Sequence, residues 1–291
     1  MKMIFEGTGV ALVTPFSGGQ VDYAALKKLI VANIENGASA IIVLGTTGEG
    51  STILEEERLN IIKQAKEAIC GRAKLIVGTG SNDFAKALYN THMAKKLGAD
   101  GVLVVTPYYN KTFQSGIVEY YNKLSQIGIP LIMYNVPSRT GLNIELETIS
   151  KLIDNDMIYG IKESSKDISR IIKLAGICKD KIALYSGEDE LNYIFYCLGA
   201  KGCISVTANI CTKQVDRVFT NVKYGNYKQA LKLQEELTGI NELLFIETNP
   251  IPIKAVMARM GLIENELRMP LAPLEERNKS KVEEYINSIS F

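Results

Sequence analysis

Histidine is almost missing from this chain: His92 stands alone among 291 residues. The five cysteines, Cys70, Cys178, Cys197, Cys203 and Cys211, are odd in number. Their spacing matches neither a zinc site nor a redox pair. With one histidine and no cysteine cluster, a transition-metal centre is not expected. His92 falls within a helical stretch and is assigned no role. Net charge is also nearly absent, at +1, so nothing recruits nucleic acid or an anionic membrane surface. No apolar run approaches the roughly 18 residues that a membrane span needs. Met1 to Phe16 carries no cationic region, long apolar stretch or small-residue cleavage site, so no signal peptide is expected. Cys203 and Cys211 sit among apolar residues and read as buried thiols. Together these absences predict a soluble protein of a reducing, cytoplasmic compartment.

What the chain does have is apolar residues, 46% of the total, arranged in short β-branched runs. Eight runs recur: Val10–Val13, Ile41–Leu44, Leu75–Val77, Val102–Val105, Leu131–Met133, Ile158–Ile161, Ile182–Leu184 and Cys203–Val206. Each is too short and too continuous for an amphipathic helix, and suits a strand buried on both faces. Helical stripes lie between them, such as Leu26, Leu29, Ile30 and Ile34, or Leu59, Ile62, Ala65 and Ile69. Asp22, Asp83 and Asp167 are placed to cap helices, and Gly37 and Gly98 to end them. Eight strands alternating with helices predict a parallel sheet closed into a (β/α)8 TIM barrel. An open doubly wound sheet is the competing architecture, but no G-x-G-x-x-G turn follows the first strand. After about residue 224 strand signals stop. Asn226 to Phe245, Pro250 to Met260 and Lys279 to Ile289 read as helices joined by Pro-containing turns. The expected division is a barrel over residues 1–224 and a helical C-terminal appendage over 225–291.

In such a barrel the active site lies at the C-terminal ends of the strands. Those ends carry Thr46 and Thr47, Tyr108 and Tyr109, Tyr134 with Arg139 just beyond it, and Lys162. A lysine at the end of a buried strand is desolvated, which disfavours its ammonium form. The neutral amine can attack a ketone and form an imine. The competing reading is a lysine that snorkels to the rim or pairs with Glu163. Strand alternation turns Glu163 the other way, which weakens that pairing. A phenol at Tyr134 can move protons beside such an imine, with Tyr109 and Thr46 extending a relay. Taken singly, each tyrosine is equally a half-buried packer. The turn Gly45-Thr-Thr-Gly-Glu-Gly50 offers backbone N–H groups to a small carboxylate, or simply needs its glycines for their backbone angles. It lacks the ending of a P-loop. Arg139 is placed to clamp a second carboxylate, or to sit solvated in its loop. Glu55 to Glu57 read as the solvated first turn of a helix.

Over essentially its whole length the sequence resembles the dihydrodipicolinate synthase family, within the N-acetylneuraminate lyase superfamily. The resemblance rests on Gly45-Thr-Thr-Gly-Glu49, Val105-Thr-Pro-Tyr-Tyr-Asn110, Tyr134-Asn-Val-Pro-Ser-Arg-Thr-Gly141 and Gly160-Ile-Lys-Glu163. It implies a lyase that condenses pyruvate with aspartate 4-semialdehyde on the diaminopimelate route to lysine. Lys162 would form the imine, with Tyr134, Thr46 and Tyr109 as the proton relay and Tyr108 reaching into a neighbouring subunit. Amides at Thr46 and Thr47 would hold the pyruvate carboxylate, Arg139 the semialdehyde carboxylate, and Ile204 would line the lysine pocket. No metal or organic cofactor is implied, because the covalent imine is the electron sink. The implied assembly is a homotetramer built as a dimer of tight dimers, or the tight dimer alone.

One departure bears on regulation. Lysine-sensitive members carry an effector site where this chain has Glu55, Arg58 and Lys86, alongside Asn82 and Tyr108. Like charges there would repel lysine, so feedback is expected to be weak or absent. Two other functional readings stay open at this point: a sibling aldolase acting on a sialic acid or 2-keto-3-deoxy sugar acid, and a catalytically silent keto-acid-binding barrel.

Overall fold

The computed structural model describes residues 1–288. All eight expected strands form, as β1 (Gly7–Ala11), β2 (Ala38–Val43), β3 (Lys74–Gly78), β4 (Gly101–Val105), β5 (Leu131–Asn135), β6 (Ile158–Glu163), β7 (Ala183–Ser186) and β8 (Gly202–Ser205). Every neighbouring pair is parallel, and β8 closes onto β1. The open-sheet alternative is thereby removed. Helices follow the strands and cover the barrel, and the caps sit where the sequence put them. The carboxylates of Asp22, Asp83 and Asp167 accept from Ala25 N, Ala85 N and Arg170 N at 2.9, 2.9 and 3.0 Å. Gly37 and Gly98 end their helices in the left-handed region, at φ of 101° and 80°.

β1 begins three residues earlier than expected. Its start is Gly7-Thr-Gly9, which no apolar run marks. At Gly9 an added Cβ would come within 2.8 Å of the Phe5 ring and 2.9 Å of Cys203 O, so the tight wall there requires glycine. Val13 is buried but lies beyond the strand, its amide donating to the side chain of Asn209. A short hairpin, Phe16–Ser17 with Gln20–Val21, was not foreseen.

Alternation along the strands separates two apolar regions. Ile41, Val43, Met133 and Ile161 pack outward against the helices. Ile42, Ile76, Ile132 and Ile204 fill the lumen. At one end of the lumen Phe5 stacks on Tyr185 with centroids 4.4 Å apart, and the Tyr185 hydroxyl donates to Phe5 O at 2.8 Å.

The C-terminal region is helical, as expected, over Tyr227–Glu236, Thr238–Leu243, Ile251–Arg259 and Glu276–Ser288. The first of these segments is two helices rather than one. The two meet at Leu237, and at Gly239 in the second an added Cβ would lie 2.9 Å from the Tyr285 ring. Ile289, the expected end of the last helix, lies outside the described residues. Leu233, Val256, Leu274 and Val282 share a single apolar cluster with the outward face of the barrel. Among the described residues no helix is long and apolar enough to cross a membrane. All five cysteines are free thiols, with Cys203 and Cys211 buried as expected and Cys178 buried with them.

Candidate active site

Lys162 is the fifth residue of β6 and points into the barrel. Its neighbours point out: Ile161 packs in the outer core, and Glu163 accepts from Asn135 Nδ2 at 2.9 Å and from Arg170 Nε at 3.1 Å. Burial pushes the Glu163 carboxyl up, against the pull of Arg170 and Asn135. Lys162 therefore has no claim on that carboxylate. It is 6% exposed, and among the described residues its ammonium makes no hydrogen bond or ion pair. It lies over the Tyr134 ring, whose centroid is 4.5 Å from Nζ. Register sets that contact, because Tyr134 pairs with Lys162 across β5 and β6. Gly187, after β7, leaves room for the lysine stem, since a Cβ there would lie 2.8 Å from Lys162 Cε.

A cavity of about 690 Å³ opens at this end of the barrel. Lys162, Tyr134, Thr46, Thr47, Arg139 and Ile204 all line it, so six of the eight expected site residues converge. The turn carrying the threonines is strongly constrained. Leu44 and Glu49 adopt positive φ, 60° and 52°. At Gly50 a Cβ would stand 2.1 Å from Leu44 O. Within the turn Glu49 N and Gly50 N bond back to Thr46 O and Gly45 O, while Thr14 Oγ1 holds Gly48 O at 2.7 Å. The amides of Thr46 and Thr47 donate to nothing among the described residues, so both N–H groups keep their capacity to bind an acceptor. Arg139 sits in a single helical turn, Pro137–Thr140, and its Nη2 donates to Asn249 O at 3.0 Å.

The two tyrosines after β4 behave differently. Tyr109 is 91% exposed at φ 70° and lines neither cavity. This chain by itself joins Tyr134 and Thr46 but not Tyr109. Tyr108 lines a second, smaller cavity of about 300 Å³ together with Arg58, Ser81, Lys86 and Asn90. That cavity meets the larger one at Thr46, Tyr134 and Arg139, which line both. Arg58 is 5% exposed, its guanidinium donating to Gly78 O and Gly50 O. Glu57 is not simply solvated: its carboxylate takes two bonds from Arg268 and one from Leu54 N.

Three features escaped the sequence. Glu188 follows β7 in the larger cavity; burial pushes its carboxyl up to about 7, with Lys166 and Lys162 opposing and Asp189 adding to the rise. Applying the strand-end rule to Ser186-Gly-Glu would have found it. Asn249 lines both cavities and donates to Thr47 Oγ1 at 2.9 Å. Lys254 is fully buried against Glu49, 2.6 Å away. Neither of the last two announces itself by periodicity or spacing. Among the described residues no group of three or more His, Cys, Asp or Glu is arranged around a metal position.

The family model described as "Dihydrodipicolinate synthetase family" matches residues 4–289. A 4-hydroxy-tetrahydrodipicolinate synthase of Thermodesulfovibrio yellowstonii is 44% identical over 286 residues, covering 98% of each chain. The crystal structure of dihydrodipicolinate synthase from Aquifex aeolicus superposes with a TM-score of 0.95 at 40% identity, again over 98% of each chain. A solved structure described as the first monomeric dihydrodipicolinate synthase variant matches at 0.95 and 38% identity, over 98% of this chain and 96% of that one. Matched by that family model over residues 4–289, this chain belongs to the dihydrodipicolinate synthetase family.

Proposed function

We propose that the chain condenses pyruvate with L-aspartate 4-semialdehyde through an imine on Lys162, giving 4-hydroxy-tetrahydrodipicolinate. The observation that carries the chemistry is a buried lysine without a charge partner, over the Tyr134 ring and lining one cavity with two residues whose amides are unspent. The relatives reported above carry the synthase name, and nothing favours a sugar-acid lyase or a silent barrel.

The Lys162 amine adds to the ketone carbon of pyruvate, and the carbinolamine expels water to form the imine. The protonated imine withdraws electrons from the adjacent methyl, which loses a proton to give an enamine. The enamine carbon attacks the aldehyde carbon, whose oxygen takes a proton. The amine of the second substrate then displaces Lys162 from the imine carbon. Tyr134 and Thr46 are the hydroxyls placed to move these protons. Thr46 and Thr47 amides hold the pyruvate carboxylate, Arg139 holds the semialdehyde carboxylate, and Ile204 keeps the lumen side dry. No metal or organic cofactor is part of this scheme.

Residues 225–288 form the helical appendage to a barrel ending near residue 224. The enzyme is cytoplasmic and assembles as a tight dimer or as a tetramer of two such dimers. The exposed Tyr109 makes it, rather than Tyr108, the side chain suited to enter a partner's site. Lysine feedback is weak or absent, because the smaller cavity presents Arg58 and Lys86 to an incoming cation.

Incubation with pyruvate and borohydride, read by peptide mass spectrometry, is expected to leave a stable adduct on Lys162. A panel of aldehydes is expected to give coupled product fastest with aspartate semialdehyde. An unmodified Lys162 would return the silent barrel to contention, and faster turnover of a sugar aldehyde would return the lyase.

A further inference from the structure

The segment Asn249–Lys254 lies far along the chain from every expected site residue, yet it grips the site at three points. The Asn249 side chain donates to Thr47 Oγ1 at 2.9 Å, and its carbonyl accepts from Arg139 Nη2 at 3.0 Å. Five residues on, Lys254 Nζ donates to the Glu49 carboxylate at 2.6 Å and to Thr14 O at 2.9 Å. The other Glu49 oxygen accepts from Arg268 N at 2.9 Å. Asn249 is 5% exposed, Glu49 3% and Lys254 0%.

Stability alone is a poor reason for a buried ion pair in this place. Desolvation of two charges consumes most of their attraction, and an apolar pair of the same volume often does as well. A pair pinned to one turn does something an apolar pair cannot, which is to fix a strained backbone at a stated position. Glu49 has a left-handed φ of 52°, a conformation that persists only when its surroundings over-determine it. Thr47 and Glu49, the two residues gripped, flank Gly48 in the turn that presents the Thr46 and Thr47 amides.

We propose that Asn249 and Lys254 are positioning residues, a two-point latch holding the Gly45–Gly50 turn so that its free amides meet the pyruvate carboxylate. The inference rests on the assignment of that turn to pyruvate. Through the Asn249 carbonyl the same residue sets Arg139, so the two carboxylate sites share one support. The C-terminal segment is then part of the active site.

The test uses the full-length wild type, N249A, T47V, the N249A/T47V double variant and T47S. The readouts are borohydride-trapped adduct as a function of pyruvate concentration, KM for each substrate, and Tm. N249A is expected to raise the pyruvate half-saturation by ~10-fold, the loss of one hydrogen-bonded tie. The KM for the semialdehyde moves less than ~3-fold, because alanine keeps the carbonyl that Arg139 uses. T47V gives the same shift as N249A, the double variant gives no more than either, and T47S restores wild-type behaviour. A structural lesion would lower Tm without this split or this non-additivity. Pyruvate half-saturation unchanged in N249A, or losses that multiply in the double variant, would overturn the latch. If the wild type itself traps no pyruvate, the functional assignment falls and takes the latch with it. E49Q/K254M tests the second point of the grip, and N249A keeps the proposal falsifiable should that pair fail to fold.

Discussion

Lys162 and Lys254 are both buried, and both lie over an aromatic ring, Tyr134 at 4.5 Å and Phe16 at 4.2 Å. They differ in every other contact. Lys254 has a carboxylate at 2.6 Å and a carbonyl at 2.9 Å, whereas Lys162 has neither. Desolvation pushes the Lys254 ammonium down, and Glu49 pulls it back. The pair keeps Lys254 occupied as a donor, with no lone pair to offer. Lys162 faces a cavity and, among the described residues, makes no hydrogen bond or ion pair, which suits it to the proposed attack. Burial is shared, so burial alone does not single out the proposed nucleophile; what separates the two is the missing partner.

Swapping each lysine for methionine separates them most sharply. K162M is expected to abolish adduct formation and to lower kcat by ~10³-fold or more, as loss of a covalent nucleophile does. Its Tm should hold, because no buried partner is stranded. K254M strands the Glu49 carboxylate and is expected to cost about 3–5 kcal/mol, read as a denaturant midpoint shift. The E49Q/K254M double variant should recover much of that loss, and equal stability of K254M and wild type would erase the contrast. Y134F sharpens the comparison from the ring side. It keeps the aromatic face over Lys162 but removes the hydroxyl proposed to carry protons, with an expected ~10²-fold fall in kcat at nearly unchanged pyruvate affinity.

The smallest effect concerns Glu188, the carboxyl in the cavity whose field reaches Lys162. Burial raises it from 4.5 to about 7, so between those values the folded chain binds more protons than the unfolded one. Stability therefore falls as pH rises through that window. E188Q is expected to flatten this slope in Tm measured against pH, and a slope that survives would place its origin elsewhere.

Much of this was legible in the residues. The strands are buried on both faces, so β-branched runs betray them; β1 and β2 each begin three residues before their runs, β1 on Gly7-Thr-Gly9 and β2 on Ala38-Ser-Ala40, where small residues carry no apolar signal. The inward turn of Lys162 follows from a period of two, and Glu163 with its Arg170 partner is the other half of that statement. Thr46, Thr47 and Arg139 were found because strand ends point to a barrel mouth. Asn249 and Lys254 were not, since their contacts join positions about 200 residues apart in sequence and leave no local trace. Tyr109 exposes another limit: a sequence places a residue at a strand end but does not say whether its own chain's cavity receives it.

The Phe5–Tyr185 stack fills the lumen at the end where β1 begins, which leaves the opposite end, at Lys162, to the proposed chemistry. Lys162 lies on a strand and Arg139 in the loop beyond the neighbouring strand, so the proposed second carboxylate site stands further out than the proposed imine. In that layering pyruvate is the first substrate to react and water the first product to leave. Double-displacement kinetics, with parallel lines in a double-reciprocal plot, are the expected outcome, and intersecting lines would overturn that order.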